Sequence, residues 1–195
     1  MLFDALPRKH YQVIYADPPW SFETWSHRGQ GKGASQHYDC MSMKALCELP
    51  VHEIAADNAA LFMWVVQPQL PEALSVISHW GFEFKTVAFY WVKMPMTWNP
   101  DQFSLIQERP RLGLGYHTRS GAEQCWLAIR GKGYDRESQG VEQVLHAPLQ
   151  EHSRKPDEIA RRIVALVGDV PRVELFARRQ TPGWATWGLE VEACP

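Results

Sequence analysis

The sequence predicts an α/β fold in which a mainly parallel sheet carries helices on both faces. Short apolar runs rich in β-branched and aromatic residues recur along the chain, and helix-period stretches lie between them. The composition is that of one compact domain, with 195 residues, 45% hydrophobic and 22% charged.

The elements follow in order. Tyr11 to Ala16 (YQVIYA) is the first buried strand, followed by 60–66 (ALFMWVV), 85–92 (KTVAFYWV), 124–129 (QCWLAI) and 172–177 (RVELFA). Helices are expected at Ser42 to Leu49, at Gln69 to Trp80 with Leu70, Ala73, Leu74 and Ile77 on one face, and at Pro156 to Val167 with Ile159, Ile163, Leu166 and Val167 on one face. Pro182-Gly183-Trp184 opens a last strand-like piece, Ala185 to Val191, which reads as a closing C-terminal hairpin with the strand before it. Residues 21–38 and 94–120 have no clear period and read as two long functional loops within a single domain spanning 1–195. No internal repeat or low-complexity tract stands out.

Composition bounds the function. No stretch reaches the roughly 20 apolar residues that span a bilayer, and the N-terminal residues lack a signal-peptide core, so a cytoplasmic protein without membrane contact is expected. Cys40, Cys47, Cys125 and Cys194 form no C-x-x-C pair, and the histidines never take H-E-x-x-H spacing, so no metal site is expected. The glycines of residues 29–33 lack the strand-to-helix setting of a phosphate-binding loop. A formal net charge of −2 argues against gripping nucleic acid by bulk electrostatics. Positive charge is local, at Arg28 and Lys32 and at Arg109, Arg111 and Arg119. Trp20, Trp25 and Trp98 fall in loop-like segments where an indole can face a ligand.

The most informative stretch is Asp17-Pro18-Pro19-Trp20, which leaves the first strand where α/β sheets bind ligands. It reads either as a rigid turn or as an amine-methylating site. An aromatic amine is a poor nucleophile because its lone pair is delocalised into the ring. Two acceptors that take both N–H bonds pull the nitrogen toward a tetrahedral shape. Asp17 supplies one acceptor and the Pro18 carbonyl the other, with consecutive prolines holding that carbonyl rigid and unpaired. Trp20 offers a flat face for a base extruded from its stack.

Six segments in this order resemble one family. They are Asp17 to Trp20, Tyr38 to Leu46, Leu61 to Val65, Gly121 to Gly131, Arg154-Lys155-Pro156-Asp157-Glu158, and Glu174 to Arg178 followed by Gly183-Trp184. The family is named for the seventy-kilodalton catalytic subunit of the messenger-RNA adenosine methyltransferase and includes bacterial and phage DNA enzymes. The resemblance implies a Rossmann-like domain that uses S-adenosylmethionine to methylate the exocyclic N6 amine of adenine. It places Asp17, Pro18, Pro19 and Trp20 at the target adenine, with Tyr38 and Glu123 lining the pocket. It assigns Lys155 to the methionine carboxylate, and Glu174, Arg178, Gly188 and Glu190 to the adenosine side. Arg154 to Glu158 also suits an ordinary helix start. Where the family pattern has Gly-Asn-Glu or Gly-Asn-Gln, this chain has Gly188-Leu189-Glu190, which leaves the ribose contact to Glu190 alone.

The reading is therefore direct in-line methyl transfer to adenine in DNA, with no covalent enzyme intermediate and no metal. DNA is favoured over RNA because the chain shows no added RNA-binding module. The small size admits a homodimer or heterodimer. RNA adenosine or cytosine amines are alternative targets, and a catalytically silent nucleic-acid-binding subunit is an alternative of another class.

Overall fold

The computed structural model describes residues 3, 6–7, 10–21, 41–99, 110–113, 117–150 and 154–188. Within them lie strands β1 (Tyr11–Ala16), β2 (Ala55–Val65), β3 (Glu83–Met94), β4 (Ala122–Arg130), β5 (Val144–Pro148), β6 (Arg172–Leu175) and β7 (Ala185–Trp187). The helices are α1 (Met43–Cys47), α2 (Val51–Ile54), α3 (Leu70–His79) and α4 (Asp157–Val167). The strands form one sheet in the order β5-β3-β4-β2-β1-β6-β7. β1 pairs in parallel with β2 and β6, β6 with β7, and β3 with β5, whereas β4 is antiparallel to both β2 and β3. β4 is thus the one reversed strand in an otherwise parallel sheet, and the fold is Rossmann-like.

Strand alternation sorts the core into two layers. Ile14, Leu61 and Met63 pack with Ala73, Val76 and Ile77 of α3 and with Trp80. Val13, Tyr15, Phe62, Trp64, Trp91 and Cys125 pack with Ile159, Ile163 and Val167 of α4 on the other face. Full burial of each aliphatic side chain contributes about 2 kcal/mol. Ser42 caps α1 by accepting from the Ala45 N–H at 3.2 Å, and the Trp80 indole donates to the Leu46 carbonyl at 2.8 Å, tying α1 to the end of α3. α4 starts after Pro156 with Asp157 and Glu158 in its first turn and stops at Gly168, whose φ of 81° lies in the left-handed region.

Two expectations change. The closing hairpin is not formed, because β7 runs parallel to β6, pairing Val173 with Ala185 and Leu175 with Trp187. Phe176, at φ 62°, takes the chain out of β6, and residues 177–184 return it to the start of the sheet. β6 is only 4 residues long, roughly 13 Å, so a short connection retraces it. β5 is an added edge strand, parallel to β3, with a single buried residue, Leu145, and too short an apolar run to be recognised as a strand. Among the described residues no helix is long and apolar enough to cross a membrane.

Candidate active site

Asp17 is the first residue beyond β1, at the carboxyl end of the parallel strands. Glu123 reaches the same end by the opposite route: β4 is reversed, so the end that holds Asp17 is where β4 begins. Lys155 comes down from the segment before α4 and joins them. Its Nζ donates to Asp17 Oδ2 at 2.9 Å and lies 3.4 Å from Glu123 Oε2. Lys93, one residue before the end of β3, donates to Glu123 Oε1. Two ammonium groups and two carboxylates therefore form one chain, Lys93–Glu123–Lys155–Asp17.

The floor of this chain is aromatic. Lys155 Nζ lies 5.5 Å from the centre of the Trp64 ring and Lys93 Nζ 5.4 Å from that of Trp91. The two indoles meet edge to face at 6.4 Å. Trp64 Nε1 donates to the Tyr15 hydroxyl at 2.7 Å, and the Trp64 carbonyl accepts from Trp20 Nε1 at 2.9 Å. Burial pushes the Tyr15 phenol well above its ordinary range, so it remains a neutral partner.

The Lys155 side chain is only 14% exposed. Burial works against its charge, but Asp17 and then Glu123 outweigh that and hold the ammonium above its ordinary range. Burial likewise opposes the Glu123 carboxylate, yet Lys155 and Lys93 hold its pKa below the usual value. The cluster is charged but nearly self-neutralised.

A second group of residues sits at the neighbouring edge. Glu174 on β6 accepts from Thr181 Oγ1 at 2.8 Å, and burial raises its carboxyl pKa, with the Asp17 charge adding to the rise. Thr186, its register partner on β7, buries an Oγ1 that has no hydrogen-bond partner among the described residues. Gly188 follows β7 so closely on residue 177 that a Cβ there would lie 2.1 Å from the Ala177 carbonyl oxygen. Arg178, half-buried, follows directly, and Asp157 at the start of α4 is held by Arg154 at 2.7 Å and by Arg179.

The structure thus brings together Asp17, Glu123 and Lys155, and places Glu174, Arg178 and Gly188 beside them. Tyr38 and Glu190 lie outside the described residues, as do Leu189, Trp25, Arg28, Lys32 and Arg109. Two details of the Asp17–Trp20 reading are corrected. The Pro18 carbonyl is not unpaired, because it accepts the Trp20 N–H at 2.8 Å across a tight turn, which leaves its second lone pair. Trp20 does not present an open face, since it is 4% exposed and packs in the α3-side core layer. Its indole N–H found a buried carbonyl, and that bond turns the ring inward. Pro19 serves the turn by accepting from the Met41 N–H at 3.1 Å.

Lys93, Trp64 and Tyr15 are site residues that the motif reading missed. Alternation was the available signal: counting in twos along β3 from Phe89 through Trp91 reaches Lys93 on the site-facing side.

Comparison with known proteins agrees with this geometry. The family model described as MT-A70 matches residues 11–190. The type II methyltransferase M.MunI of Mycoplasma sp is 35% identical over 97% of this chain and 82% of that protein. The human N(6)-adenine-specific methyltransferase METTL4 is 27% identical over 94% of the chain, and the Danio rerio N(6)-adenosine-methyltransferase subunit METTL3 is 26% identical over 93%. The chain spans 38% and 28% of those two proteins. A family match that runs from β1 to beyond β7 shows that this chain belongs to the MT-A70 family.

Proposed function

We propose that this protein is an S-adenosylmethionine-dependent methyltransferase acting on the exocyclic N6 amine of adenine in DNA. The observation that carries the reading is Asp17 held at the end of β1 by Lys155, with Glu123 on the far side of the same ammonium. Asp17 accepts one amine N–H and the free lone pair of the Pro18 carbonyl accepts the other. That pairing localises the nitrogen lone pair for in-line attack. A bound S-adenosylmethionine would supply the methyl group, the S–C electron pair leaving with its sulfur, and the methylated nitrogen would give up one proton to solvent. Holding the reactants at attack distance supplies roughly 7–11 kcal/mol of the barrier. Positioning is thus the main device.

The residues suit the cofactor on several counts. Lys155 offers an ammonium beside the start of α4 for a carboxylate, and the buried Thr186 Oγ1, without a hydrogen-bond partner among the described residues, lies across from Glu174. Gly188 lets backbone close on backbone where Glu174 and Arg178 would take the adenosine. DNA is favoured because the similarity to the type II methyltransferase, at 35%, exceeds that to the adenosine methyltransferase subunit, at 26%. Arg111 and Arg119, exposed at the same end of the sheet and unpaired with any carboxylate among the described residues, would meet phosphates. We place the working protein in the cytoplasm.

The test is incubation with radiolabelled S-adenosylmethionine and separate pools of duplex DNA, single-stranded DNA and RNA, then digestion to nucleosides. Label in N6-methyladenine from DNA is expected. Label confined to RNA, or found in cytosine, overturns the assignment. Asp17→Ala is expected to abolish transfer while calorimetry still shows saturable binding of the methyl donor, and full activity in that variant would remove Asp17 from the mechanism.

A further inference from the structure

Glu123 lies between two ammonium groups of different origin. Lys155 is shared, closer to Asp17 at 2.9 Å than to Glu123 at 3.4 Å. Lys93 has the closer contact with Glu123 and reaches it from the next strand, where Trp91 is the register partner of Glu123. Lys93 is also fixed at its backbone: its N–H donates to Gly121 at 2.9 Å and its carbonyl accepts from Arg111 at 2.7 Å. The Trp91 ring lies under its ammonium. Lys155 is itself carried by no strand, coming from the segment before α4, and under the proposed function its charge is drawn toward the carboxylate of the donor.

Among the described residues, Glu123 meets Lys93 and its register partner Trp91 from β3 and Lys155 from the segment before α4, with Asp17 on the other side of Lys155 and Cys125 two residues inward on β4. Burial pushes the Cys125 thiol well up, so it is neutral. With Lys155 engaged elsewhere, the Glu123 side chain, 22% exposed, has one remaining cation among the described residues. A mostly buried carboxylate without a cation takes up a proton more readily and, once neutral, is a much weaker acceptor.

We propose that Lys93 is a positioning residue, the standing counter-ion that keeps Glu123 ionised and aimed at the target base while Lys155 is committed to the methyl donor. This rests on the proposed function, and its consequence is specific. Removing Lys93 costs activity in acid and spares it in alkali.

The experiment compares the wild-type chain with Lys93→Met and Lys93→Arg, measuring kcat/KM for DNA methylation from about pH 4 to pH 9. In Lys93→Met the acid limb is expected to move up by about one pH unit, so that the loss grows toward about ten-fold only at the acid end of that range and recovers to within about three-fold of wild type by pH 9. Lys93→Arg should keep the wild-type profile. A loss of the same size at every pH, or no loss, overturns the proposal. Lys93→Gln serves if Lys93→Met does not fold. Carbon-13 NMR of glutamate carboxyls with S-adenosylhomocysteine bound, assigned through Glu123→Gln, separates the two levels of failure. If wild type methylates nothing, the functional reading falls, and a higher Glu123 pKa in Lys93→Met still supports the counter-ion role. An unchanged Glu123 pKa removes it.

Discussion

Trp64 joins three parts of the site through one residue. Its carbonyl holds Trp20 inward, its indole N–H holds the Tyr15 hydroxyl, and its ring lies beneath Lys155. Lys155 is where these contacts become electrostatic. Replacing it by methionine keeps the bulk over Trp64 and leaves Asp17 and Glu123 facing each other without their shared cation. Since all three side chains are less than a third exposed, the expected cost is roughly 2–3 kcal/mol, read by urea unfolding at neutral pH. The pH window follows from the directions of the shifts. Glu123 titrates lower in the folded protein than its ordinary 4.5, so its share is present above that value and is lost as pH falls through the folded one. Lys155 titrates above its ordinary 10.5, so its share persists up to that value and is lost only as pH rises through the folded one. The difference between wild type and Lys155→Met should therefore be widest between these limits and shrink in acid. A constant difference across pH would mean that the lysine acts through packing alone.

Single residues differed in how visible they were before the fold was known. Asp17 was legible because a carboxylate followed by two prolines at a strand end is an unusual local statement. Trp20 was misread because its fate depends on the carbonyl of Trp64, a partner 44 positions away. Lys93 carries no motif; alternation along β3 was the one local sign of its side, and its partner Glu123 lies 30 positions away.

At the scale of elements, the joint between β6 and β7 is the most confined. The Ala177 N–H donates to the Trp187 carbonyl at 3.0 Å, and Gly188 passes so close that a side chain would have to displace backbone. Gly188→Ala is expected to lower the melting temperature by several degrees, as about 1–3 kcal/mol of overpacking would, and to weaken binding of the methyl donor at least ten-fold by calorimetry. Retained affinity would place the adenosine pocket elsewhere. The buried elements β1, α3 and α4 were readable from apolar period alone, because both faces of β1 and one face of each helix enter the core. The direction of β7 was not. A short connection with Gly183 reads as a hairpin turn, and only the left-handed Phe176 sends the chain back along the sheet.

At the scale of the whole molecule, a net charge of −2 and a mainly self-neutralised site leave little general attraction for a polyanion. Arginines around α4 are matched by carboxylates: Arg154 and Arg179 by Asp157, Arg161 and Arg162 by Glu158, and Arg172 by Asp169. Arg111 and Arg119 are not so matched among the described residues. DNA affinity should accordingly have a shallow salt dependence, and Arg111→Ala with Arg119→Ala should reduce the slope of log K against log salt by about 2. An unchanged slope in fluorescence-anisotropy titrations would show that other cations carry the phosphate contacts.

The reversal of β4 also has an engineering meaning. Asp17 hangs from the strand before it, whereas Glu123 is moored to the strand after it, so the stretch joining β3 to β4 can change length upstream without dragging the glutamate along. That stretch is clipped back by the Gly113–Ser120 bridge and by Arg111 on Lys93. Lengthening the chain ahead of Arg111 is therefore expected to leave Glu123 and its two lysine partners in place.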